Sequence, residues 1–457
     1  MAEEKKTSTG DIGPVPTSTR EGSLREGVLS GSEKDAAEIH EVFQKVEGGV
    51  DFRTVSWQRA TVIFLKVIFA TGVLSIPSAM YSLGAVGGSI LIVVFGALNT
   101  YTAVIQGNFR NNHPECHTLA DMCNVIGGSG IVGLSVAFNA LSDHAACTVW
   151  WSFLSFAVIT ACASVRTFEK IGWLTWAGFV SIFTAVFIVV IGVTTRDRPA
   201  AAPQTGDYEL GYHAIGSATF ASGMTATATI FVSSAGTSAF LPVIAEMRRP
   251  RDYRKALYVC MGLVTAAYLA FSLVVYRWCG QWVANPSLGS AGGTIKKVSY
   301  GVGLIGLAVS GCLYQHVAAK YVFVRILRGS RHLQHNTVIH WVTWLGCSIT
   351  LGAIAFVLSE AIVIFSYLVA LTGTVCFAPM AISVPGILYM YDYNEDRKSG
   401  SLVRKAWYYF HVLLILVGAF IAVGGTYAVI KSILAAYANG EIGSAFSCAD
   451  NSGSTAH

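Results

Sequence analysis

KVIFATGVLSIPSAM, from Lys66 to Met80, and IFVSSAGTSAFLPVIAEM, from Ile230 to Met247, decide the fold. Each lies inside a long apolar run, and each has a glycine-centred interruption followed by a proline. The first interruption is Thr71-Gly72-Val73 with Pro77 behind it; the second is Ser233-Ser234-Ala235-Gly236-Thr237 with Pro242 behind it. A helix that stops midway through a bilayer leaves backbone N–H and C=O groups unpaired, which is tolerable only where they line a cavity or meet a ligand. Two such breaks at corresponding places in two halves of a chain point to a binding site at the bilayer midplane. The half-helix after a break presents free N–H groups and a positive dipole end, suited to a carboxylate. The half-helix before it presents free carbonyls, suited to an ammonium. The breaks thus predict a site for a zwitterion formed by Phe69, Ala70, Thr71, Gly72, Val73 and Leu74 with Phe231, Ser233, Ser234, Gly236 and Thr237. Phe69, Phe231 and Phe138 are candidates for an apolar subsite. The competing reading is that glycine and proline only kink packed membrane helices. It explains one break more readily than two placed five spans apart.

Working outward, the composition agrees with a membrane protein. Hydrophobic residues make up 53% and charged residues 12% of the chain, against roughly 25% charged in soluble domains. A span needs roughly 20 mainly apolar residues. Eleven candidates lie near 57–80, 83–107, 128–143, 147–165, 171–194, 218–246, 255–277, 299–327, 338–358, 361–390 and 406–437. The third, GIVGLSVAFNALS, is barely long enough unless it begins near Leu119. Residues 1–55 read as a polar, disordered tail, residues 56–437 as the transmembrane domain, and residues 438–457 as a short tail. The expected fold is an all-α polytopic bundle. Spans one to five and six to ten form an inverted repeat, each half opening with a broken helix, and span eleven is an addition.

Basic residues set the orientation. Arg248, Arg249, Arg251, Arg254 and Lys255 follow span six, and Arg397, Lys398, Arg404 and Lys405 follow span ten. Arg110, Arg166, Lys170, Arg325, Arg328 and Arg331 fall on the same face. This places the N-terminus inside and, with eleven spans, the C-terminal tail outside. The EMRRPRDYRK run reads as an inner anchor, with contact to anionic lipid of the inner leaflet as a second reading. Basic residues scattered among apolar spans argue against nucleic acid. The ten cysteines form no metal-like spacing and read as buried thiols, with Cys279 and Cys448 on one face as a candidate pair. No HExxH, P-loop or nucleophile elbow is present, so neither enzyme, metal nor cofactor is expected.

GVLSIPSAM after a Lys-bearing helix, and the stretch ending EMRRPRDYRKAL, resemble the amino acid/auxin permease family. HVAAKYVFVRILRGSRHLQHNTVIHWVTWLGCSITLG and FSYLVALTGTVCFAPMAISVPG are similar to fungal neutral amino acid permeases of the methyltryptophan-resistance type. The resemblance covers roughly residues 50–435. It implies a LeuT-type fold and import of neutral aliphatic and aromatic amino acids, coupled to protons, at the plasma membrane. One departure stands out: the family's third span is introduced by more residues than lie between Ile126 and Ile131 here. A non-transporting amino acid sensor of the same fold is therefore the alternative reading. A channel is a weaker third, lacking a filter-like repeat or ring of charge.

Three ionisable residues are coupling or gating candidates. Lys66 lies inside span one before the break, where a charge is costly. It is expected to serve the broken helix, to pair with an acid such as Glu246, or to snorkel to the inner surface. His316 in span eight is a proton-site candidate, weighed against ordinary packing. Residues 311–329 of span eight hold no Ser or Thr, which favours protons over sodium, since such an ion needs hard oxygen ligands. Asp143, His144 and Glu360 are expected to be solvated at the interface.

Overall fold

The computed structural model describes residues 54–69, 72–113, 129–165, 168–327, 330–333, 335–362, 364–398, 400–440 and 446–448. Ala70, Thr71, the tail to residue 53 and the approach to span three at 114–128 lie outside them. The described residues are helical apart from loops and one isolated bridge.

Span one is broken as expected. Its first half is Trp57–Ile68, capped by Ser56, whose hydroxyl accepts from the Arg59 N–H at 3.4 Å. A 3₁₀ turn, Gly72–Leu74, leads into a second half that begins at Ile76 with Pro77 in its first turn. Pro77 costs nothing there, because a first-turn N–H has no helical partner anyway. Gly84 (φ 77°, ψ 165°) then separates this half from span two, which runs to Asn112. The loop before span six takes up the backbone freed at that turn: Ala85 and Val86 donate to His213 and Ala214 carbonyls at 3.0 and 2.9 Å.

Span three is Ser129–Ser142, span four Thr148–Ala163 and span five Phe168–Thr194. Span six is broken into Phe220–Ala235, a 3₁₀ turn Gly236–Ala239, and Phe240–Ala245. Spans seven to eleven are Tyr253–Cys279, Gly293–Leu327, Val338–Ala361, Phe365–Asp392 and Leu402–Ala438. Span ten carries Pro379 and Pro385 and winds locally into π-helical turns at Gly373–Phe377 and Pro379–Ser383. A proline inside a helix withholds an N–H and pushes its ring at the preceding turn, so the ladder loosens there.

Among the described residues nine segments are long and apolar enough to cross a bilayer. The other two expected spans are the 16-residue span four and the 14-residue span three. The broken helices lie innermost. The most apolar window of span six is 89% buried and that of span one 75%, against 33% in spans nine and eleven. The outer helices show lipid-facing stripes instead. On span five Trp176, Val180, Phe183, Phe187 and Ile191 are exposed at three- and four-residue spacing, one face of a helix.

Two expectations are corrected here. Cys448 pairs not with Cys279 but with Cys147, at the start of span four, with Cα atoms 4.5 Å apart; Cys279 is a buried free thiol. Glu360 is 3% exposed and not solvated, because it sits in the last turn of span nine where the Phe446 N–H meets its carbonyl at 3.4 Å. Asp143 does lie at a surface, paired with Lys297 at 2.6 Å.

Candidate functional site

The two breaks touch. A Cβ on Gly72 would lie 2.8 Å from the Ser233 Cα, so only glycine lets the first break pack against the second. The Ser233 hydroxyl, with one proton, lies 3.1 Å from the Gly72 carbonyl and 2.8 Å from the Thr229 carbonyl one turn back, and the Ser75 N–H reaches the Gly72 oxygen at 3.1 Å. Span two contributes Asn99, whose Nδ2 donates to the Ser234 Oγ at 2.8 Å.

The carbonyls that end the first half-helices are gathered by two tyrosines. The Tyr268 hydroxyl, from span seven, lies 2.6 Å from the Ile68 carbonyl and 3.0 Å from that of Ser233. A hydroxyl has one proton, so it shares a single donor between the two breaks. Tyr314, from span eight, donates to the Val67 carbonyl. The hydroxyls of Thr237 and Ser238 and the Asn99 Oδ1 are buried without a hydrogen-bond partner among the described residues. Such atoms are rare in native interiors, and these three sit on the second break and the helix facing it.

Aromatic rings border the breaks. Phe69 stacks on Tyr268 at 5.6 Å and meets Phe179 edge-on at 5.9 Å, while Phe231 meets Phe95 edge-on at 5.3 Å. Val73 and Leu74 are buried in the 3₁₀ turn, and Gly236 opens the turn of span six. Ala70 and Thr71 lie outside the described residues. Phe138 is elsewhere, stacked on Trp151 of span four at 5.7 Å. Span three packs mainly on spans eight and four.

Lys66 does not snorkel. It is fully buried, and its Nζ donates to the Gly306 carbonyl at 2.9 Å and the Ser310 hydroxyl at 2.7 Å, both in span eight. Glycines make its slot: a Cβ on Gly178 of span five would come within 2.9 Å of the Lys66 Cε. Ser310 lies one residue before the Ser/Thr-free stretch of span eight, so a hydroxyl is present at this level after all. The expected Lys66–Glu246 pair is absent among the described residues. Glu246 instead binds Lys320 of span eight at 2.5 Å, with side chains 6% and 14% exposed. This pair ends the second half of span six, a full half-helix beyond the break, too far along the chain for Lys66. There Val55 and Met247 form a parallel bridge: the Val55 N–H meets the Glu246 carbonyl at 3.1 Å, and the Arg248 N–H meets the Val55 carbonyl at 2.9 Å. His316 is buried apart from the breaks. Its Nδ1 lies 3.1 Å from the Ala163 carbonyl, and its ring meets Trp344 edge-on.

Sequence reasoning missed Tyr268, Tyr314, Ser310, Lys320 and Asn99. Tyr268 and Asn99 are each one of several polar residues in their spans, so composition does not single them out. Nothing local says which distant carbonyl each would meet.

The profile of transmembrane amino acid transporter proteins matches residues 53–142 and 125–431. The two pieces overlap on span three. A "Transmembrane transporter" of Gibberella moniliformis is 50% identical, with 93% of this chain and 94% of that protein covered. That alignment runs to 447 positions while covering 93% of 457 residues, so it includes positions without a counterpart here. An "N amino acid transport system protein" of Neurospora crassa is 28% identical, with 98% of each chain covered. Among solved structures, MhsT in complex with L-phenylalanine is 13% identical with a TM-score of 0.46, covering 79% of this chain and 98% of its own.

Proposed function

The chain belongs to the transmembrane amino acid transporter family, and from that premise we propose that it imports neutral amino acids, aliphatic and aromatic, coupled to protons. The contact between the two breaks carries the reading. Where Gly72 meets Ser233, helix ends of both polarities converge, and they suit the two charges of an amino acid backbone. Phe69, Phe231, Phe95 and Phe179 border this place, which favours an uncharged substrate side chain. Alternating access would rock the broken helices against the remaining spans around this fixed point.

Proton coupling draws support from Lys66. Its ammonium takes a carbonyl and a hydroxyl of span eight, hard oxygens of the kind a metal cation would need. A lysine can release its charge as a proton, whereas a bound sodium must leave as an ion. His316 remains a second candidate, and Glu246 with Lys320 is read as a gate on the side of the basic loop. The Cys147–Cys448 bond supports the orientation. Disulfides persist in oxidising compartments, and both cysteines fall on the outer face when the N-terminus is inside. A plasma-membrane location accords with this.

Span three favours a second reading. Its described part, Ser129–Ser142, is 14 residues long, and the family match splits there. The second reading is a sensor that binds an amino acid without moving it. Radiolabelled leucine uptake into proteoliposomes, with an imposed pH gradient and with sodium omitted, separates the two. Gradient-driven accumulation is expected; saturable binding without accumulation would establish the sensor.

A further inference from the structure

Away from the breaks, at the face of the basic loop, a cavity of about 330 Å³ opens between three elements. Asn108, Asn111 and Asn112 come from the end of span two, Arg251 and Arg254 from the start of span seven, and a tyrosine from each of spans seven and ten. The volume reaches the lower end of the roughly 300–1,000 Å³ range of small-molecule sites. Its chemistry is unlike that of a typical apolar pocket, since every lining residue is polar or aromatic-polar and none is acidic.

The walls are built. Gly107 lets the Tyr253 ring pack against span two, since a Cβ there would strike the ring. The Tyr253 hydroxyl lies 2.8 Å from the Val104 carbonyl and 2.9 Å from the Asn108 Oδ1 and shares its one proton between them. Arg254 Nη2 donates to the same Oδ1 at 2.6 Å. The Asn108 oxygen is thereby used, leaving its amide as a donor. Two acids beside the cavity are already engaged: Asp252 by Lys255 at 3.0 Å, and Asp392 by His113 at 2.9 Å and by the Asn112 amide at 3.1 Å; Glu395 and Asp396 follow Tyr393 in the next turn and do not line the cavity. Within the lining itself, the charge is that of the two guanidinium groups. Arginine forks and amide donors around a concave space match the oxygens of a phosphate.

We propose that this cavity binds a phosphomonoester group, supplied either by a lipid headgroup of the facing leaflet or by a soluble phosphate. The proposal does not depend on the transported substrate. It gives part of the EMRRPRDYRK run a task beyond orienting the chain.

The test uses the full-length protein in phosphatidylcholine nanodiscs, read by thermal stability. One arm adds phosphatidylinositol 4-phosphate to the bilayer, a second adds phosphatidylserine, which has no monoester, and a third adds soluble inositol trisphosphate. Stabilisation by the phosphoinositide well above that by phosphatidylserine is expected. The double variant Arg251→Gln/Arg254→Gln should weaken it about tenfold, as loss of charge-assisted bonds implies. An equal response to soluble inositol trisphosphate assigns the site to a free phosphate; a response to the lipid alone assigns it to a headgroup. Asn111→Ala is a milder variant, expected to weaken the same response without changing net charge. Equal stabilisation by phosphatidylserine, or an undiminished response in the double arginine variant, overturns the proposal. Leucine binding in plain phosphatidylcholine reports folding of each variant, and its failure in every protein would count against the transport reading alone.

Discussion

Lys66 shows how much of a residue's role a sequence can carry. Its depth in span one and its cost there were legible from position alone. Its partners were not, because Gly306 and Ser310 lie 240 and 244 residues away. The same limit hid Lys320 as the partner of Glu246, and the anticipated Lys66–Glu246 pair joined the wrong charges. Lys66→Met should reduce uptake below about a tenth of the unmodified level at normal surface abundance; unchanged uptake sinks the coupling role. Ser310→Ala removes one bond to a buried charged group, which contributes about 1.5–3 kcal/mol. A lowered midpoint of thermal unfolding in detergent is the expected sign. His316→Gln tests the second candidate. If His316 only packs against Trp344 and the end of span four, the pH profile of uptake will be unaltered and only stability will fall.

At the scale of elements, the breaks were the most legible feature, because glycine and proline mark where a helix ladder cannot continue. The sequence also marked span three as short. It did not reveal that the breaks press on each other, since that depends on Gly72 meeting the Ser233 backbone. Gly72→Ala should therefore act through both broken helices. The added methyl has nowhere to go without backbone movement, at a cost of about 1–3 kcal/mol, and uptake should fall with it. An alanine variant with wild-type uptake would mean the breaks are farther apart in the working protein. The Val55–Met247 bridge ties the start of span one to the end of span six, and the Glu246–Lys320 pair ties that end to span eight. Glu246→Gln leaves the Lys320 ammonium without its counter-charge and should slow transport. The exchange Glu246→Lys/Lys320→Glu should recover part of the loss, whereas a purely local packing role predicts no recovery.

Across the whole molecule, the succession of apolar helices followed from hydropathy. The covalent link did not, because cysteine pairing depends on where remote loops end up in space. Cys147 and Cys448 are 301 residues apart, and the candidate pairing of Cys279 with Cys448 had no geometry to correct it. In the proposed orientation both lie on the outer face, so Cys147→Ser should leave Cys448 open to a membrane-impermeant maleimide on intact cells; labelling only after permeabilisation would invert the topology. Spans four to eleven lie between the two cysteines, an even number of passes. Insertion errors that skip one helix would strand the two sulfurs on opposite sides of the membrane. The bond can close only on chains whose passes were counted correctly, so an oxidised Cys448 serves as a parity check on assembly.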